Sequence, residues 1–108
     1  MAGDIFFSKH NWAASSWATF YVLEYLASRV SDVATKNMLI ELVENNIPML
    51  DLRDSQKAQL VDILADKLPH DMPSIKDSEL QQELTELLFE LVSYAREQQI
   101  ENRQINGP

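Results

Sequence analysis

The segment Asn11–Val30, NWAASSWATFYVLEYLASRV, decides how this chain is read. Trp17, Phe20, Tyr21, Leu23, Leu26 and Ala27 leave it apolar around most of a helical circumference, with Glu24 almost alone in the middle. A helix without a water-preferring face is normally central. The pattern predicts a helix from about Asn11 or Trp12 to about Val30, with Asn11 or Ser8 as the N-cap. Upstream, Ile5-Phe6-Phe7 could be extended, but one short strand has nothing to pair with. Residues 1–10 therefore read as a buried N-terminal arm.

Working outward, further helices are separated by proline. A second helix begins near Ser31 or Asp32, carries Met38, Leu39, Leu42 and Val43, and ends at Asn45-Asn46-Ile47-Pro48. A third starts near Asp54 or Ser55, uses Leu60, Val61, Leu64 and Leu68, and stops at Pro69. The link Pro69-His70-Asp71-Met72-Pro73 loses backbone donors and cannot be helical. Ser78 and Gln81 then fit a capping box. The fourth helix runs to about Gln99 or beyond, with Leu80, Leu84, Leu87, Leu91 and Tyr94 as its apolar seam and a fraying tail over residues 102–108. The expectation is one all-α domain over 1–108, a compact bundle of about four helices with a long amphipathic C-terminal helix.

Between Asp77 and Ala95 there is no Lys or Arg, yet Glu79, Glu83, Glu86 and Glu90 recur at spacings of 4, 3 and 4. Glu97 and Glu101 continue the series, and on a helix all six carboxylates fall within roughly 60° of one another. Like charges at such spacings repel by roughly 0.2–0.5 kcal/mol per pair. The seam of the same helix is expected to face the core and leave this stripe pointing outward. The stripe is then either the solvated face of an amphipathic helix or a docking surface for a basic partner. Solubility needs charge but not charge of one sign, which favours docking.

Composition narrows the classes. Net charge is −8, and the acids concentrate after residue 50. Nucleic acid and anionic membrane surfaces both demand a basic footprint and are not expected as partners. With no Cys, disulfides, thiolate zinc sites and cysteine nucleophiles are excluded. Residues 1–7 do not read as a signal peptide, and Trp17–Leu26 is too short to span a bilayer. A cytoplasmic location is compatible with all of this.

Sites of chemistry are scarce. His10 and His70 are the only histidines, and neither follows a Glu at the di-iron spacing. Glu41-x-x-Glu44 and Glu83-x-x-Glu86 resemble the Mg²⁺-holding pairs of all-helical nucleotide pyrophosphatases, but they lie about forty residues apart with no basic cluster for phosphates. Ser15 and Ser16 lack a nucleophile elbow. The expectation is a non-enzyme without metal or cofactor. Among the aromatics, Trp17 and Tyr21 read as core, and Trp12 and Tyr25 as partly exposed. Phe89 lies about 140° from Leu84 and reads first as a second core contact, and otherwise as an exposed aromatic beside the glutamates.

Glu79, Glu83, Glu86 and Glu90, with Phe89 and Tyr94 nearby, give the chain a resemblance to the small acidic helical immunity proteins of bacterial toxin–immunity pairs. The resemblance covers one helix. The best-known helical nuclease-immunity pattern carries adjacent tyrosines, whereas Tyr21 and Tyr25 here are four apart. It implies a partner-binding face of Glu79, Glu83, Glu86, Glu90, Glu97, Phe89 and Tyr94 that neutralises a basic, nuclease-like toxin by direct binding. The alternatives are a homodimeric structural or regulatory subunit joined through the first helix, and a Mg²⁺-dependent nucleotide hydrolase.

Overall fold

In the computed structural model, which describes residues 2–105, the Asn11–Val30 segment divides at Ser15. Asn11–Ser15 is a strand, β2, and Ser16–Arg29 a helix, α1. Ser15 is the N-cap, four residues later than Asn11: its backbone is extended and its Oγ accepts from the Ala18 N–H at 3.4 Å. The strand exists because it has partners. Ala2–Phe6 forms β1, antiparallel to β2 with Ile5 opposite Trp12, and Met49–Asp51 forms β3, parallel to β1. The sheet order is β2-β1-β3. The all-α expectation is thus corrected to an α+β fold, helix-dominated but built on a mixed three-stranded sheet. The N-terminal arm is the central strand of that sheet.

This correction inverts the expected exposure of Trp12, Tyr25 and Trp17, while Tyr21 is half-buried against the core. Trp12 is wholly buried and its Nε1 donates to the Leu87 carbonyl at 2.8 Å. Tyr25 is buried as well, whereas Trp17 is 46% exposed. The cause is one of phase. In a strand Trp12 faces the core with Ile5, and in a helix beginning at Ser16, Trp17 falls about 160° from the buried Thr19.

The helical elements lie close to their expected places. Val33–Glu44 forms α2, capped by Asp32, whose carboxylate accepts from the Thr35 N–H at 2.9 Å. It closes on Asn46 at a φ of 57°, a conformation that asparagine tolerates. The third helix is a composite: a 3₁₀ turn over Ser55–Lys57, α3 over Ala58–Asp62, one π-helical turn over Ile63–Lys67 and a 3₁₀ turn over Leu68–His70.

Ser78–Ile105 forms α4, so residues 102–105 of the expected frayed tail are helical and 106–108 lie outside the described residues. The expected capping box does not form. Asp77 Oδ1 accepts from the N–H groups of Glu79 and Leu80, while the Gln81 side chain bonds Ile75 N–H and the Pro73 carbonyl. Gln81 thereby holds the proline link against the helix.

The core face of α4 is Leu84, Leu88, Leu91, Val92 and Ala95, followed by buried Gln98, Gln99 and Asn102. It is turned about 60° from the expected seam. Leu80 is exposed, and Leu87 and Tyr94 are half-buried. The buried amides are satisfied. Gln98 accepts from Ser8 N–H at 2.9 Å and donates to Asn102, and Gln99 donates to both Asp62 and Asp66.

Candidate acidic docking face

The glutamate stripe falls into two halves with different surroundings. At its C-terminal half, the turn between β1 and β2 folds over the helix. Ser8 Oγ donates to Glu101 at 2.6 Å, and His10 Nε2 meets Glu97 Oε2. The His10 ring stacks on Tyr94 at 4.2 Å between centroids, and Phe7 meets the same ring edge-on. Glu97 and Tyr94, both expected at a partner, are therefore engaged within the chain. Nothing in the sequence pointed to Ser8 and His10 as their neighbours, since the contacts join residues about ninety positions apart.

The N-terminal half is different. Glu79, Glu83, Glu86 and Glu90 are exposed, and among the described residues none of them forms an ion pair. Glu86 accepts only from Gln82, at 3.4 Å. Phe89, one turn from Glu86, is 55% exposed, which overturns its reading as a second core contact. Four carboxylates and one aromatic ring thus share one stretch of an otherwise well-packed helix. To a ligand this face offers negative charge and contact area.

Other sequence-level candidates are placed elsewhere. His70 is exposed at the end of its 3₁₀ turn, and Glu41 and Glu44 lie on α2. Among the described residues no three His, Asp or Glu side chains converge as a metal site. The apolar face of α1, which the homodimer alternative needs, is occupied within the fold: Ala18, Val22, Leu23, Leu26 and Ala27 are buried.

Tyr25 belongs to a clamp between α1 and the proline link. Its hydroxyl donates to Asp71 Oδ2 at 2.6 Å, the Arg29 Nε lies 3.6 Å from the same oxygen, and the Arg29 guanidinium sits 5.0 Å over the Tyr25 ring. Burial and then the Asp71 contact push the Tyr25 hydroxyl well above its ordinary pKa. Burial likewise raises Tyr21, with the Asp71 charge second. The Tyr25 hydrogen bond holds the Asp71 carboxyl below the usual carboxylate range. A carboxyl depressed in the folded state stabilises it above the unfolded pKa, about 3.9, and ceases to do so as pH falls through the folded value. Tyr25→Phe is therefore expected to be less stable than the parent at neutral pH, by a margin that narrows below about pH 4. Urea melts at neutral and acid pH check this; a margin constant with pH would remove Asp71 from the account.

No known protein family matches the chain, and no match was found among curated proteins or solved structures. Among the described residues no helix is long and apolar enough to cross a membrane.

Proposed function

We propose that this chain is a protein-binding module of the immunity type, which neutralises a basic, nuclease-like toxin domain by covering it in the cytoplasm. The observation that carries the reading is the unpaired run Glu79, Glu83, Glu86 and Glu90 with Phe89 standing exposed beside it. Some carboxylates elsewhere have partners: Asp51 in Arg53, Asp71 in Tyr25 and Arg29, and Glu97 and Glu101 in the β-hairpin turn. Glu24, Glu41 and Glu44 are exposed without an ion pair among the described residues; the stripe differs in gathering four such groups in one run. The repulsion left in the free run, roughly 0.2–0.5 kcal/mol per neighbouring pair, is relieved when a cationic surface closes on it.

The mechanism is recognition without chemistry. The acidic face draws a cationic domain in by long-range attraction, and Phe89 with the desolvated ion pairs then slows its departure. The test is co-purification with the product of the adjacent gene, followed by titration of the purified pair. Double charge reversal, Glu83→Lys with Glu86→Lys, is expected to weaken binding at least about tenfold. Raising ionic strength from about 0.01 to 0.1 M, which shortens the Debye length from about 30 to 10 Å, is expected to slow association by about tenfold or more. If affinity is indifferent to both, the stripe is a solvated face and the proposal fails.

A further inference from the structure

The two edges of the sheet are finished very differently. β3 is guarded: Pro48 precedes it, Lys57 Nζ donates to the Asp51 carbonyl at 3.4 Å, and Arg53 grips the Asp51 carboxylate at 2.8 Å. Prolines, lysines and local ion pairs are the usual means of keeping an edge from pairing with another chain. β2, Asn-Trp-Ala-Ala-Ser, has none of them within the strand; Lys9 and the His10–Glu97 pair stand before it, at the turn.

Its free backbone groups can be assigned. Asp4 N–H bonds the Pro48 carbonyl and Leu52 N–H the Phe6 carbonyl, so Asp4 and Phe6 turn towards β3. Gly3, Ile5 and Phe7 therefore turn towards β2 and meet Ala14, Trp12 and His10. By the alternation of an antiparallel ladder, Asn11 and Ala13 aim their N–H and C=O groups outward. Among the described residues nothing hydrogen-bonds to them, and both residues are exposed.

What borders this edge is settled by the contacts with α4. The β1–β2 turn sits at Glu97 and Glu101, and Trp12 is fixed at Leu87, so β2 runs antiparallel to α4. Glu90 and Glu83 lie within about 60° of Leu87 around the helix and a turn to either side of it. The free half of the stripe thus has Phe89 on one flank and the open strand on the other. Glu83 and Glu90 are about 10 Å apart along the helix axis. Side chains two to four residues apart on one face of an extended segment, about 7–14 Å, bracket that distance.

We infer that the free edge of β2 receives an extended, basic segment of the partner protein as a fourth strand, its backbone bonded to Asn11 and Ala13 and its Lys or Arg side chains set on Glu83 and Glu90. This rests on the acidic docking reading and adds the form of the ligand. The sheet edge supplies affinity through main-chain bonds, and the glutamates select the charge of the segment. A second copy of this chain is the weaker occupant, because each copy brings the same glutamates to the junction.

The probe is a short synthetic peptide alternating Lys with Thr and Val, titrated into the isotopically labelled chain and followed by NMR. It is expected to shift the amides of Asn11 and Ala13 and to slow their hydrogen exchange. The same peptide with N-methyl groups on alternate backbone nitrogens is expected to bind at least about tenfold more weakly, and a Glu-for-Lys version not at all. Ala13→Pro removes an outward donor at an edge position where proline is tolerated, and is expected to show the same loss with the melting temperature unchanged. The methylated peptide decides the matter even where that variant is unstable. Equal binding of the methylated and parent peptides overturns the strand addition while leaving the acidic docking face standing. No binding of the lysine peptide overturns it too, and the charge-reversal experiment on the folded partner then judges the broader reading alone. A homodimer of the free chain that Ala13→Pro dissolves would name a second copy as the occupant and also overturn the proposal.

Discussion

Trp12→Ala is expected to remove about 3–5 kcal/mol of folding stability, the range for truncating a buried tryptophan. The whole stability of a domain of this size is about 5–15 kcal/mol, so the variant should be close to unfolding at physiological temperature. Two losses combine. The indole is wholly buried where the sheet meets α4, so its removal leaves a void between two layers rather than at a surface. It also deletes the hydrogen bond to the Leu87 carbonyl that ties β2 to α4. Trp12→Phe keeps most of the volume and should lose less, with the missing hydrogen bond contributing about 1 kcal/mol. Trp17→Ala supplies the control: its ring is 46% exposed, and its removal should cost much less. Urea denaturation of the three variants checks the order. Trp17→Ala proving more damaging than Trp12→Ala would contradict the division at Ser15 and favour the single helix.

Gly3→Ala ranks next, with an expected loss of about 1–3 kcal/mol or somewhat more. A β-carbon on Gly3 would run into the Thr19 side chain, lying 2.6 Å from its Cβ, and would stand 2.9 Å from the Pro48 carbonyl oxygen. Neither neighbour yields easily. Thr19 is wholly buried, branched at Cβ, and donates from Oγ1 to the Ser15 carbonyl. The Pro48 carbonyl is backbone and accepts from Asp4 N–H. The glycine is there for close approach: it lets the central strand lie directly against α1. Thr19→Ala in the same chain should recover part of the loss, and a double-mutant cycle measures the coupling between the two sites. Additive losses would place the obstruction in what Thr19→Ala leaves behind, the Cβ of residue 19 and the Pro48 carbonyl.

The helices after residue 31 were legible because their signals are local. Asp32, the prolines at 48, 69 and 73, and the leucine spacings act within a turn or two of the residues they organise. The sheet was not legible for the opposite reason. Asn11–Ser15 contains Ala13 and Ala14, good helix formers, and runs without a break into a strongly helical segment. Only pairing with Ile5, and through β1 with Leu50, makes it a strand. The rotation of α4 was hidden in a similar way. Gln98, Gln99 and Asn102 continue the core face, and a polar residue reveals itself as buried only through distant partners such as Ser8 and Asp62. The stripe itself was readable residue by residue. Its division was not, because the group that occupies Glu97 and Glu101 belongs to the first turn of the chain.

The union of the β1–β2 hairpin with the far end of α4 also sets an order of events during synthesis. Ser8 finds Gln98 and Glu101, and Trp12 finds Leu87, across 90, 93 and 75 positions of sequence. A ribosome adding about 5–20 residues per second takes about 4–20 s to make that intervening chain. Throughout the interval Ile5, Phe7 and Trp12 have no α4 to cover them, and the outer edge of β2 is already free. The nascent chain therefore carries this apolar surface before its cover has been made, and the emergence of α4 ends its exposure to chaperones, proteases and neighbouring chains.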